Sequence, residues 1–257
     1  MAYFRIEYYS DALRRQTAFE MMIPNDPRPE ARGTEKPPMR TLFLLHGFTG
    51  KAENFVPGDL PEKYNFASVM PNAENSFYLN GLSTGHAFQT MVGEELVSYV
   101  RKTFRLAMKP EDTYIAGLSM GGFGALHTGL TYPQTFGKIG AMSSALIVHE
   151  VAGMKEGQGN EMANYAYYRE CFGEPALVEE SDNNPETLIR KLKASGKAIP
   201  AIYLTCGTED FLLENNREMH RFLEAEKVPH EYHEAPGIHN MEYWIEHIRK
   251  IADWMFG

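Results

Sequence analysis

The sequence predicts an α/β fold: a mostly parallel central sheet with an N-terminal antiparallel hairpin and helices on both faces. Three observations predict it. From residue 39 onward, short apolar runs alternate with longer stretches of helical period, the pattern of strands joined by crossover helices. Ahead of them, residues 3–9 and 15–23 are rich in aromatic and β-branched side chains and are separated only by a polar stretch at Ser10 and Asp11. The chain of 257 residues, 43% hydrophobic, is long enough to bury one large core and ordinary in composition for a globular domain.

Taken in order, the two leading runs read as the hairpin. Residues 24–38 form a polar loop carrying Pro24, Pro27, Pro29, Pro37 and Pro38. Strands follow at residues 41–45, 67–70, 113–116, 138–142, 201–206 and 231–234. Between the second and third of these lies a helix over 88–104, because Phe88, Val92, Leu96, Val100 and Phe104 recur at four-residue steps along one face. Further helices are predicted over 121–132, 213–226 and 241–256. Residues 147–199 are long for a connection between two strands. They contain an aromatic cluster, Tyr165, Tyr167 and Tyr168, and a helix start at which Asn184 can cap and Pro185 takes the first turn. This segment reads either as a helical excursion packed on the sheet or as a partial cap, a lid over a site. Internal repeats are absent, so residues 1–257 are expected to form a single domain with 147–199 as its insertion.

Charge and composition exclude several function classes. Lys and Arg number 25 against 34 Asp and Glu, a net charge of −9, which argues against a nucleic-acid partner. The first residues carry charge where a secretory leader needs an apolar stretch, and no apolar run reaches the roughly 18 residues that span a bilayer. A cytoplasmic protein without a membrane partner is therefore expected. Two cysteines, Cys171 and Cys206, do not make a disulfide framework, and Cys206 in its apolar run reads as a small buried hydrophobe.

The chemistry centres on Thr113-Tyr114-Ile115-Ala116-Gly117-Leu118-Ser119-Met120-Gly121-Gly122. An apolar strand runs into Gly-x-Ser-x-Gly and then a helix, the arrangement of the nucleophile elbow in the α/β-hydrolase fold. A serine on so tight a turn crowds the residues two before and two after it, and Gly117 and Gly121 supply the space. The helix that starts after Ser119 points its amides and positive dipole end at the site, where an anionic intermediate gains from both.

A nucleophilic serine needs a base and an orienting acid, which in this fold follow in the order serine, acid, histidine. Gly207-Thr208-Glu209-Asp210 closes the strand at 201–206, placing carboxylates at the carboxyl end of a strand. Asp210 is the candidate acid and Glu209 its competitor. Of nine histidines, His46, His86, His127 and His149 precede the acid. His220 and His247 fall within predicted helices, and His230 and His233 within the last strand region. His239, in the loop between last strand and last helix, is left as the candidate base. Leu44-Leu45-His46-Gly47-Phe48-Thr49-Gly50 ends an early strand in a glycine-bearing turn, so the backbone amides of Phe48 and Met120 are the candidate oxyanion hole. His46 is expected to brace that turn. No metal is expected, since there is no His-Glu-x-x-His run and His230 and His233 face opposite sides of a strand. No cofactor is expected either, because neither a phosphate loop nor a dinucleotide fingerprint is present.

With these residues in place the chain resembles the esterase D-like branch of the α/β-hydrolases, and within it the bacterial tributyrin esterases. The likeness rests on Leu44-Leu45-His46-Gly47, Met70-Pro71-Asn72, the run from Ile115 to Gly124, Cys206-Gly207-Thr208-Glu209-Asp210-Phe211 and Gly237-Ile238-His239. It spans residues 3–254 and extends to S-formylglutathione hydrolases and to acetylxylan and feruloyl esterases. The resemblance implies a serine esterase that hydrolyses short-chain acyl esters of small molecules through an acyl-enzyme, with Ser119, Asp210 and His239 as catalytic triad. An acetyl or feruloyl esterase acting on plant-glycan oligosaccharides is the alternative, and a catalytically silent binding module is the reading from a different class. Relatives often carry Trp-Tyr where this chain has Phe77-Tyr78, and Asp where it has Asn240. The longer cysteine- and threonine-containing oxyanion loop of S-formylglutathione hydrolases is missing, which lowers the expectation of that substrate. Phe77, Tyr78, Tyr165 and Tyr168 are candidate substrate-binding residues that could stack on an aromatic acyl group or a sugar, with core packing as their plainer role. Should the chain self-associate, a homodimer is the expected form.

Overall fold

The computed structural model describes residues 1–24 and 38–257; most of the predicted proline-rich loop, with Pro27, Pro29 and Pro37, lies outside the described residues. One eight-stranded sheet carries the fold. Strands β1 (Ala2–Ser10) and β2 (Arg15–Ile23) form the hairpin, with Ile6 paired to Phe19. They are followed by β3 (Arg40–Leu45), β4 (Phe66–Pro71), β5 (Thr113–Leu118), β6 (Lys138–Met142), β7 (Ala201–Gly207) and β8 (His230–Ala235). Their spatial order is β1-β2-β4-β3-β5-β6-β7-β8; β2 joins β4 antiparallel and every pair from β4 to β8 is parallel.

Alternation along the strands divides the core into two layers, because successive side chains leave a strand on opposite faces. Phe43, Leu45, Ile115, Ile139 and Leu204 point to one layer. There they meet α4 (Met120–Thr131), α7 (Pro185–Ala194) and α8 (Leu213–Ala225) through Phe123, Ile189 and Leu223. Leu42, Leu44, Tyr114, Ala116 and Tyr203 point to the other layer, against α1 (Asp59–Tyr64) and α9 (Met241–Phe256). Both faces are covered, so strands β3 to β7 are buried on both sides, while the edge strand β8 stays partly exposed.

The helix predicted over 88–104 is not uniform. It opens as α2 (Phe88–Thr90), widens into a π-helical turn (Met91–Leu96) and resumes as α3 (Val97–Phe104). Strict four-residue spacing advances about 40° per step around an α-helix, so it would carry later apolar residues off the buried face. The i→i+5 turn takes up part of that drift, and Phe88, Val92, Leu96 and Val100 all stay buried. Inside the turn, Gly93 admits the Tyr132 ring, whose Cε2 lies 2.1 Å from where a Cβ would sit.

Residues 147–199 divide in function of position. Their second half includes α7, capped as its sequence suggests: the Asn184 side chain accepts from the Glu186 N–H at 3.0 Å. Leu188, Ile189 and Leu192 bury that helix in the first core layer, making it the ordinary crossover between β6 and β7. The first half, with α5 (Val148–Ala152) and α6 (Tyr165–Phe172), contributes Ile147, Asn160, Met162 and Tyr168 to a cavity beside Ser119. Among the described residues no helix is long and apolar enough to cross a membrane.

His127 couples α4 to this segment. Its Nε2 donates to the Asp182 carbonyl at 2.8 Å, and its ring stacks on Phe123 with the centroids 5.7 Å apart. Complete burial pushes the imidazole down to about 4. An unfolded histidine titrates near 6.5, so between the two values the unfolded chain holds the proton that the folded chain refuses. Stability present at neutral pH should therefore be lost as pH falls from about 6.5 towards 4, by about 2–3 kcal/mol at pH 4.5. Urea unfolding of the wild type and His127→Gln at pH 7 and 4.5 checks this. The variant should show a smaller loss, and an equal loss would move the cause elsewhere.

Candidate active site

Ser119 sits between β5 and α4 with φ 56° and ψ −121°, a conformation that non-glycine residues adopt only when their surroundings impose it. Three bonds hold it here: its N–H donates to the Met142 carbonyl at 2.9 Å, and its carbonyl accepts from the Ala145 N–H at 3.0 Å and the Phe123 N–H at 3.1 Å. The flanking glycines are required sterically. A Cβ on Gly117 would stand 2.1 Å from the Gly121 carbonyl oxygen, and one on Gly121 would stand 2.2 Å from that of Leu45.

Three side chains from distant parts of the chain converge at this turn. Ser119 Oγ lies 3.0 Å from His239 Nε2, and His239 Nδ1 lies 3.0 and 2.9 Å from the two oxygens of Asp210. Asp210 follows β7 and its carboxylate is wholly shielded from solvent. An ionised carboxylate only accepts, so Nδ1 carries the proton and Nε2 is left to accept from the Ser119 hydroxyl. Burial pushes the Asp210 carboxyl up. Donation from His239, the Leu212 N–H and the Ser143 hydroxyl outweighs it and holds the group below the ordinary carboxylate range. The His239 ring is fixed between Trp244, edge-on at 4.8 Å, and Phe211 at 4.6 Å.

The competitor Glu209 turns away. Its Oε2 accepts from the Gly237 N–H at 2.6 Å, which ties the loop after β7 to the loop that bears His239. Asn240, where relatives often carry Asp, caps α9 by accepting from the Tyr243 N–H at 3.0 Å, a task either residue performs. His46 braces its turn: Nδ1 donates to the Gly47 carbonyl at 2.8 Å and Nε2 accepts from the Ala73 N–H at 3.1 Å. Burial keeps this imidazole below its ordinary value and therefore neutral. Cys206 is fully buried and burial pushes its thiol up to about 12, so it is inert.

Phe48 and Met120, the candidate oxyanion donors, both line a cavity of about 390 Å³ that opens on Ser119. Gly47 brings the turn against Ser119, its absent Cβ position lying 3.4 Å from Ser119 Cβ. Of the four candidate substrate-binding residues, Phe77 and Tyr168 line this cavity. Tyr78 does not. It is fully buried against Gly124, where an added Cβ would lie 2.3 Å from its ring, and its hydroxyl donates to the His46 carbonyl at 2.9 Å. Tyr165 also stands outside the lining, its hydroxyl donating to Glu174 at 3.2 Å. Ile147, Met162, Phe211, Leu212 and Asn215, with the carboxylates Glu150 and Glu161 among others, form walls that the sequence did not point to. Phe211 alone carried a signal, as the residue that follows the candidate acid.

A second chamber, of about 450 Å³, lies on the histidine side of Ser119. Lys51, His239, Met241 and Trp244 line it, and it shares Phe48, Met162 and Phe211 with the first. Ser119 thus stands between two spaces, one under residues 145–168 and one against His239. Among the described residues no group of three or more His, Cys, Asp or Glu is arranged to hold a metal ion.

Comparison with known proteins places the chain in a family. The Esterase family profile matches residues 10–255. An acetyl esterase of Caldicellulosiruptor saccharolyticus is 37% identical over 99% of this chain and 98% of its own. Among solved structures, the fluorophosphonate-binding serine hydrolase F of Staphylococcus aureus superposes with a TM-score of 0.85 at 26% identity, covering 100% of this chain and 98% of that one. The S-formylglutathione hydrolase of the same organism gives a TM-score of 0.82 at 25% identity, over 100% and 99% of the two chains.

Proposed function

The chain belongs to the Esterase family, and from that premise we propose that it hydrolyses short-chain acyl esters of small molecules through an acyl-enzyme on Ser119. It is a serine esterase with the α/β-hydrolase fold. The observation that carries the assignment of roles is the unbroken relay from Asp210 through His239 to a strained Ser119 at the junction of two chambers.

In the first half-reaction His239 Nε2 takes the Ser119 proton as Oγ attacks the ester carbonyl. Asp210 holds the imidazole in the tautomer that can accept and stabilises the imidazolium that forms. The Phe48 and Met120 amides meet the negative charge that develops on the carbonyl oxygen, aided by the amino end of α4. His239 then gives its proton to the departing alkoxide, so the alcohol must leave from the chamber that His239 and Trp244 line. The acyl group consequently occupies the cavity under residues 145–168, which gives that inserted stretch the part of a partial cap. Water attacks the acyl-enzyme along the same route, and Ser119 recovers its proton.

The acyl cavity also supports a second reading. Phe48, Phe77, Tyr168 and Phe211 set four rings around it, a lining suited to an aromatic acyl group such as feruloyl. A panel of p-nitrophenyl esters from acetyl to decanoyl, with methyl ferulate and acetylated xylo-oligosaccharide, separates the two by kcat/KM. The acetyl to butyryl esters should be turned over best. Longer chains should lose at least about tenfold once they outgrow the walls, since a misfitted methylene costs about 1–3 kcal/mol. Preference for methyl ferulate would transfer the assignment to the aromatic class. Absence of turnover on every ester would overturn the proposal.

A further inference from the structure

The turn that supplies the Phe48 amide is not self-supporting. Thr49 stands at φ 61°, a left-handed conformation that costs a non-glycine residue energy and needs outside restraint. From within, the turn is closed at the Gly47 carbonyl, which accepts from the Gly50 N–H at 3.0 Å and from His46 Nδ1 at 2.8 Å. The loop after β4 adds three bonds, one of them from the Tyr78 hydroxyl to the His46 carbonyl at 2.9 Å. At the base, His46 Nε2 accepts from Ala73 N–H at 3.1 Å; at the tip, Asn75 Oδ1 accepts from Thr49 N–H at 2.7 Å. The bond at the tip fixes the peptide that directly follows Phe48.

Asn75 is in turn held by α6. The Tyr167 hydroxyl donates to the Asn75 carbonyl at 2.6 Å, and the Tyr167 ring meets the Phe48 ring edge-on at 5.8 Å. One tyrosine of the inserted segment therefore touches the turn twice, directly through Phe48 and indirectly through Asn75. Tyr167 lines neither of the two chambers at Ser119, so substrate contact does not account for it.

We propose that Asn75 and Tyr167 are positioning residues for the oxyanion hole, holding the 47–50 turn so that the Phe48 N–H faces the carbonyl oxygen attacked by Ser119. The proposal rests on the esterase reading above and gives residues 145–172 a second task, bracing the turn as well as walling the acyl cavity. A displaced donor should cost less than a deleted one, which lowers kcat by about 10²–10³-fold. Asn75→Ala should lower kcat by about tenfold and Tyr167→Phe by about threefold, with KM within twofold of wild type. Because both act through one peptide, the double variant should fall about tenfold rather than by the product of the two.

The test measures kcat and KM on p-nitrophenyl acetate for wild type, both single variants and the double. It adds inhibition by a trifluoromethyl ketone, whose serine adduct places an oxyanion in the hole. Inhibition constants should rise in step with the loss of kcat while KM stays put, a pattern that loosened packing alone would not produce. Tyr167→Phe keeps the ring and its contacts, so it remains informative even if Asn75→Ala folds poorly. Single variants with kcat and inhibition constants within twofold of an active wild type would overturn this proposal alone, as would effects that multiply in the double. An inactive wild type would remove the esterase reading and this proposal together.

Discussion

Ser119→Ala should lower kcat on p-nitrophenyl acetate by about 10⁶-fold while leaving the fold intact, following the loss seen when a triad serine is removed. The size of the effect follows from what the hydroxyl does. Without Oγ no acyl-enzyme forms, and the 3.0 Å relay to His239 has nothing to activate. The site is not otherwise disturbed, because alanine fits wherever serine fits. Residual turnover would come from the Phe48 and Met120 amides and from substrate binding, which in such enzymes leave about 10³–10⁴-fold over water. KM should change little, since the two chambers are walled by other side chains.

Asp210→Asn should lower kcat by up to about 10⁴-fold, a large loss from exchanging one atom for an isostere. Asp210 presents both oxygens to His239 Nδ1 and takes the Leu212 N–H on one of them. An amide turned to keep its oxygen on the Leu212 N–H offers its NH₂ to Nδ1. Nδ1 must then accept, the proton moves to Nε2, and the imidazole can no longer take the proton of Ser119. The charge that stabilises the imidazolium is lost as well. Glu209→Gln makes the control: its carboxylate serves the Gly237 N–H, and an amide oxygen can replace it, so kcat should stay within about twofold.

Most of the frame was legible because the signals are local. β-Strand alternation between two buried layers writes itself as apolar runs, and the hairpin follows from two aromatic runs flanking a short polar turn. The elbow is legible for the same reason: the clash of Gly117 with Gly121 lies within five residues. That His239 is the histidine brought to Ser119 could be anticipated by elimination, since its place between the last strand and last helix is a matter of order along the chain.

What was not legible depends on partners far apart in sequence. The Tyr132 ring pressed on Gly93 inside the π-helical turn is a contact that no window around residue 93 contains. Phe77 and Tyr78 read as equivalent aromatic neighbours, yet both take positive φ, at 51° and 57°, and the backbone sends one ring to the cavity and the other behind it. Tyr165 and Tyr168 lie three apart on α6, but only Tyr168 reaches the cavity. The tie from Tyr167 through Asn75 to Thr49 joins three segments and involves two backbone groups, so no side-chain motif announces it.

Everything turns on one hydroxyl being the nucleophile, and covalent capture tests it most directly. The protein is incubated with a fluorophosphonate and the modified peptide located by mass spectrometry. The account predicts one adduct, on Ser119, formed rapidly in the wild type, slowed in Asp210→Asn and absent in Ser119→Ala. An adduct on another residue, or labelling that survives in Ser119→Ala, would contradict it.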